Sequence, residues 1–116
     1  MIRRLLPLLL LCMLVPVRAE QHWVVDAEAW DRPRSARMVL GLEPVREAVR
    51  GLMLLPGSRL EIRHAGGEAG SLQASELRDW LIGLGIDPDR IETVPAPVPR
   101  GQIELQLVSL VSEEDA

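Results

Sequence analysis

Cysteine is nearly absent from this chain: of 116 residues, only Cys12 carries a thiol. A disulfide framework is therefore excluded, and stability has to come from apolar burial. Lysine is absent altogether, since all thirteen basic residues are arginine, which removes lysine nucleophiles and Schiff-base chemistry. Tyrosine and phenylalanine are missing too, so aromatic stacking falls to Trp23, Trp30 and Trp80. Positive charge is also short: thirteen basic residues face seventeen acidic ones, a net of −4. No basic field gathers nucleic acid or anionic lipid, and no nucleic-acid partner is expected.

What is present begins with a leader pattern. Arg3 and Arg4 precede an almost unbroken apolar run from Leu5 to Val15, and Val17-Arg18-Ala19 closes it with small residues. That order of parts predicts a secretory signal peptide over residues 1–19, cleaved near Ala19. The run is too short to span a bilayer, so no membrane span is expected in the mature chain. A lipid-attachment reading of Cys12 stays open, although Leu9-Leu10-Leu11 stand where such sites want a small residue. Removing residues 1–19 from 116 leaves 97, the size of one small domain. The loss of Arg3, Arg4 and Arg18 leaves ten basic residues against seventeen acidic, a net of −7. A single domain is expected over residues 20–112, with an acidic frayed tail at 113–116.

Periodicity sets the elements within that domain. His22 to Val25 predicts a first strand with Trp23 and Val25 on one face. Asp31 to Ser35 reads as a loop around Pro33, and Ala36 to Leu42 fits either a strand or a first helical turn. Pro44 suits the first helical positions, and Val45, Ala48, Val49 and Leu52 recur at helical spacing until Pro56-Gly57. Leu60 and Ile62 alternate with Arg59, Glu61 and Arg63 in a half-buried strand. Ala65 to Gly70 reads as a glycine-rich loop, with Ser71 as the cap of the next helix. Leu77, Trp80, Leu81 and Leu84 make that helix's buried stripe, and Gly85-Ile86 fits a Schellman exit. Ile91 to Val94 and Gln102 to Val108 are the last strands, joined by a stiff, extended connector from Pro95 to Pro99. The expected fold is an α/β sandwich of order β-α-β-α-β-β, with two helices packed on one face of a small mixed sheet.

The segments Pro56 to Arg63 and Glu76 to Val94, above all LRDWLIGLGIDPDRIETV from Leu77 onward, resemble the OmpA-like domain. This is the C-terminal peptidoglycan-binding domain of outer membrane protein A and related lipoproteins. The late strand QIELQLV is similar to the family's closing strand in kind. The resemblance covers roughly residues 43–108 and implies a β/α sandwich in the periplasm, beside the cell wall. Such domains carry a His-Thr-Asp sequence after the second strand. Its Asp, with an Arg early in the next helix, holds the diaminopimelate of the peptide stem. Here the strand ends in His64-Ala65-Gly66-Gly67-Glu68 without an Asp, the loop is shorter, and the Arg position falls near Gln73.

Several groups are candidates for chemistry. Glu68 can stand in for the missing carboxylate with Arg78 or Arg63 as its cation, while Gly66 and Gly67 leave backbone N–H groups open beside Ser71. The alternative is a tight turn with one solvated glutamate. His22 and His64, with Glu68 or Asp26, lack the spacing of a metal site, and neither a metal nor another cofactor is expected. Asp87 and Asp89 fit a cap and turn around Pro88 better than an acid/base pair. Asp26 and Glu28 lack a desolvated pocket, and Ser71, Ser75 and Ser109 have no visible base, so no enzyme is expected. Trp23 and Trp30 fit core anchors, or a sugar- or protein-binding surface if exposed. Ile103 to Val108 is a candidate edge strand open to a partner. The expected function is a non-catalytic envelope module binding peptidoglycan through His64, Gly66, Gly67, Glu68, Ser71 and Arg78. The alternative is an envelope protein–protein interaction or assembly factor that has lost peptidoglycan binding.

Overall fold

The computed structural model describes residues 21–30 and 35–109; the expected signal peptide, Cys12 and the acidic tail lie outside the described residues. Strand β1 (Gln21–Val25) is followed by a single helical turn, α1 (Ala27–Trp30), then α2 (Ala36–Gly41) and α3 (Glu43–Leu54). Strand β2 (Ser58–His64) leads through α4 (Glu68–Gly83) and a 3-10 turn (Pro88–Arg90) to β3 (Ile91–Pro95) and β4 (Ile103–Ser109). The strands form one mixed sheet in the order β1-β4-β2-β3, in keeping with the expected α/β class. β2 and β3 run parallel, as a helical crossover requires, and β4 is antiparallel to both β1 and β2.

The core lies between the helices and one face of the sheet. Leu60 and Ile62 of β2 and Ile103, Leu105 and Leu107 of β4 are buried at every second position. Val45, Ala48 and Leu52 of α3 and Ala74, Leu77 and Leu81 of α4 close over them. Fully burying a side chain of this size contributes about 2 kcal/mol, so this layer is the main stabilising term. Trp30 is also buried and Trp23 packs partly against the core, the anchoring role foreseen for both. Trp80 and Leu84 are only half-buried, because the helix stripe is completed by Ala74, one turn before Leu77.

Helix ends explain most of the boundaries. Pro44 stands in the first turn of α3, and Pro56-Gly57 form the turn beyond it. The α4 exit has the Schellman pattern: Ile86 N–H donates to Leu81 O at 3.0 Å and Gly85 N–H to Ile82 O at 3.0 Å, with Gly85 at φ +108°. Asp87 caps the 3-10 turn by accepting from Asp89 N–H at 2.9 Å. Of the two alternatives open for Ala36 to Leu42, the helical one holds: Ala36–Gly41 is helical, started by Ser35, whose Oγ accepts from Met38 N–H at 3.2 Å. Two expectations are corrected. Ser71 is not the cap of α4; that helix begins three residues earlier, with Gly67 as N-cap. And β4 is not an edge strand: β1 pairs along its outer side, which leaves β1 and β3 as the edges.

The face of the sheet turned away from the helices carries alternating charge. Arg63 of β2 lies 3.5 Å from Glu104 of β4 and 3.8 Å from Glu61 on its own strand. Arg59 lies 3.8 Å from Glu61 and 3.6 Å from Glu92 of β3. His22 of β1 lies 3.3 Å from Glu104, so one chain of contacts crosses all four strands.

Candidate functional site

Of the residues expected to bind ligand, His64, Gly66, Gly67, Glu68 and Ser71 follow one another at the carboxyl end of β2, while Arg78 lies away from them at the start of β3. His64 closes β2 on the core side; it is 5% exposed, and its Nδ1 is hydrogen-bonded to Ala65 O at 2.9 Å. Gly66, Gly67, Glu68 and Ser71 follow it and are exposed. The glycines answer backbone demands. Gly67 has φ +97°, a conformation that side chains resist, and it starts α4 with no side-chain cap. A Cβ on Gly70 would stand 2.1 Å from Ala65 O, so the first turn of α4 lies directly against the incoming loop. Glu68 places its carboxylate in that first turn, where the helix dipole favours negative charge.

The cations proposed for Glu68 are engaged elsewhere. Arg78 comes ten residues further along α4, roughly 15 Å at the helical rise. Its Nε donates to Ile91 O at 3.2 Å and its Nη2 to Pro88 O at 3.1 Å, which ties α4 to the start of β3. Arg63 faces the opposite side of the sheet, between Glu61 and Glu104. Gln73, at the position the resemblance gives to the ligand-holding arginine, donates through Nε2 to Gly101 O at 3.0 Å. That bond ties α4 to the turn before β4, where Gly101 has φ +86° and a Cβ would lie 2.9 Å from Ala27 Cβ. His22 and His64 lie on opposite faces of the sheet, and among the described residues no group of three metal-ligating side chains comes together.

Two features escaped the sequence reading. Arg90 reaches back to the end of α3: its Nη2 donates to Leu52 O at 2.9 Å, Leu55 O at 3.0 Å and Ser58 O at 2.9 Å, and its Nε to Ser58 O at 3.0 Å. It thus holds Leu52 O, a carbonyl that the helix C-terminus leaves without an intrahelical partner, joins Ser58 N–H in bonding Leu55 O, and places a cation at the negative end of the dipole. The second feature is a groove between β1 and α3. One cleft of about 410 Å³ is lined by Gln21, His22 and Trp23 together with Glu47, Arg50 and Leu54. A second, of about 260 Å³, continues it along Trp23 and Val24 to Glu43, Pro44 and Glu47. None of the residues expected at the ligand end lines either cleft. A signal for the groove did exist in the sequence: Glu43, Glu47, Arg50 and Leu54 recur at spacings of four, three and four, a second stripe beside the apolar one.

With this geometry in view, comparison with protein-family models finds no match, and comparison with curated proteins finds none at significant similarity. Among the described residues, no helix is long and apolar enough to cross a membrane.

Proposed function

We propose that this chain is a non-catalytic, OmpA-like module of the periplasm that works by contacting other envelope proteins. Export rests on the leader pattern of residues 1–19. The OmpA-like character rests on the resemblance through Leu77–Val94 and on a sheet covered by helices on one side. The choice of protein contact over wall binding rests on one observation. The position that should supply the ligand-holding arginine is Gln73, and its amide is bonded to Gly101 O. A zwitterionic stem amino acid needs both a carboxylate and a guanidinium in fixed geometry, and Glu68 has neither Arg78 nor Arg63 beside it.

A second reading, peptidoglycan association through altered contacts, is favoured by the exposure of Gly66 to Glu68 at the carboxyl end of β2, where open α/β sheets take ligands. Sedimentation with isolated peptidoglycan sacculi at low salt separates the two. The protein is expected to stay in the supernatant. Co-sedimentation that is lost on Glu68→Ala would replace the first reading by the second. N-terminal sequencing of the protein recovered from the periplasm is expected to start at Glu20 or its neighbours, and recovery only from the cytosol would end both readings.

A further inference from the structure

We infer that the groove between β1 and α3 is the docking site for an extended, basic segment of a partner protein, which adds to β1 as a fifth strand. The inference rests on the protein-contact reading above and names the surface and the chemistry of its partner. β1 is an edge strand, so alternate N–H and C=O groups along its outer side have no ladder partner among the described residues. The opposite edge, β3, ends in Pro95 and carries Glu92, two features that discourage strand addition. β1 has neither proline nor a carboxylate in Gln21-His22-Trp23-Val24-Val25. Its five residues span about 17 Å at the strand rise, enough for a five-residue segment.

The second wall is α3, which runs antiparallel to β1, with Glu43 and Pro44 beside Val24 and Leu54 beside Gln21. Gly51 permits the close approach: a Cβ there would meet Leu107 Cδ2 at 2.8 Å and Gln21 Oε1 at 3.3 Å. Glu43 and Glu47 make no ion pair or hydrogen bond through their side chains among the described residues, and the cleft they share with Val24 contains no cation. At the other end Trp23 and Leu54, the latter 71% exposed, offer an apolar seat, and Arg50 beside them disfavours a second basic residue. From midway between Glu43 and Glu47 to Leu54 is roughly 13 Å along α3, the reach of about four strand residues. Residues four apart in a strand share a face. The occupant is therefore an extended segment with Arg or Lys at one position and an apolar residue four positions away, both turned toward α3.

Selection from a display library of random nine-residue peptides on the full-length protein tests this. The expected result is enrichment of a basic residue and an apolar residue four apart. The double variant Glu43→Arg/Glu47→Arg should weaken binding of an enriched peptide at least tenfold, with an unchanged circular dichroism spectrum. Two copies of that peptide, N-methylated on alternate residues in opposite phase, should differ, one binding and one not, because strand addition uses every second amide. No enrichment, enrichment without the basic residue, indifference to the double variant, or equal binding by both methylated peptides each overturns the inference. So does protection from hydrogen exchange, in the free protein, of those β1 amides that point away from β4, which means the edge is already taken by the chain itself. A concentration-dependent dimer abolished by Glu43→Arg/Glu47→Arg assigns the edge to a second copy instead. If the library yields nothing and the protein also stays off sacculi, only the groove is lost; if it yields nothing and the protein sediments through Glu68, the protein-contact reading is lost as well.

Discussion

The uncovered sheet face and the groove along β1 are built partly from the same strand, yet they treat charge in opposite ways. On the sheet face each carboxylate has an arginine or histidine within 4 Å, and the side chains of Glu61 and Glu104 are 19% and 23% exposed. In the groove, Glu43 and Glu47 stand on an exposed helix side with no cation opposite them in the Val24 cleft. A surface whose charges already neutralise each other offers a partner little electrostatic gain, and a docking partner would have to break contacts there. A surface with unneutralised charge beside an open strand edge has both to offer. The cross-strand lattice thus serves as a cover for the back of the sheet, against which no helix packs among the described residues, while the groove keeps carboxylates without an ion pair beside a strand edge.

The comparison can be broken first at the layer beneath both surfaces. Leu105→Ala removes a fully buried side chain under the lattice and is expected to cost about 2–5 kcal/mol in urea unfolding. If the loss were below 1 kcal/mol, the sheet would not be the seat of the core. Next comes Arg90→Ala, which removes the guanidinium donor from Leu52 O at the end of the groove-forming helix and from Ser58 O. Loss of hydrogen bonds to buried partners should cost about 1–3 kcal/mol. Hydrogen exchange should show the last turn of α3 opening before the rest of the helix. Arg63→Ala, in the lattice, is expected to cost no more than about 1 kcal/mol, and less in high salt, because ion pairs at 3.5 and 3.8 Å on a sheet face still reached by solvent are weak and screened. A larger cost, insensitive to salt, would mean that the lattice holds the sheet together rather than covering it. Smallest is Glu47→Gln, which should leave stability within about 0.5 kcal/mol, since no contact is removed. A change beyond that range would show that Glu47 has a structural role.

How far the chain could be read in advance follows from the range of each signal. Alternation in Leu60-Glu61-Ile62-Arg63 and the spacing of Val45, Ala48 and Leu52 report which side chains share a face, and those faces became the core. The exit of α4 was legible because Gly85 and Ile86 act within one turn of Leu81. The entry of α4 was not. Ser71 has the chemistry of a cap, but Gly67, with φ +97°, takes the cap position four residues earlier, with Glu68 in the first turn. What the side chains around the candidate site bond to was not legible either. Arg78, Arg90 and Gln73 each bond a backbone carbonyl at least ten residues away in sequence, and no local pattern reports such partners.

The sequence by itself determined the alternation of strands and helices, the side of each that turns inward, and the turn chemistry at Pro56-Gly57, Gly85 and Pro88, because these depend on neighbours within a few residues. Only the tertiary structure decided that β4 slots between β1 and β2, that β1 stands at the edge of the sheet among the described residues, and that Glu43 and Glu47 line a groove beside it. Strand order is set by which apolar faces can close over one another, and that is a property of the packed whole.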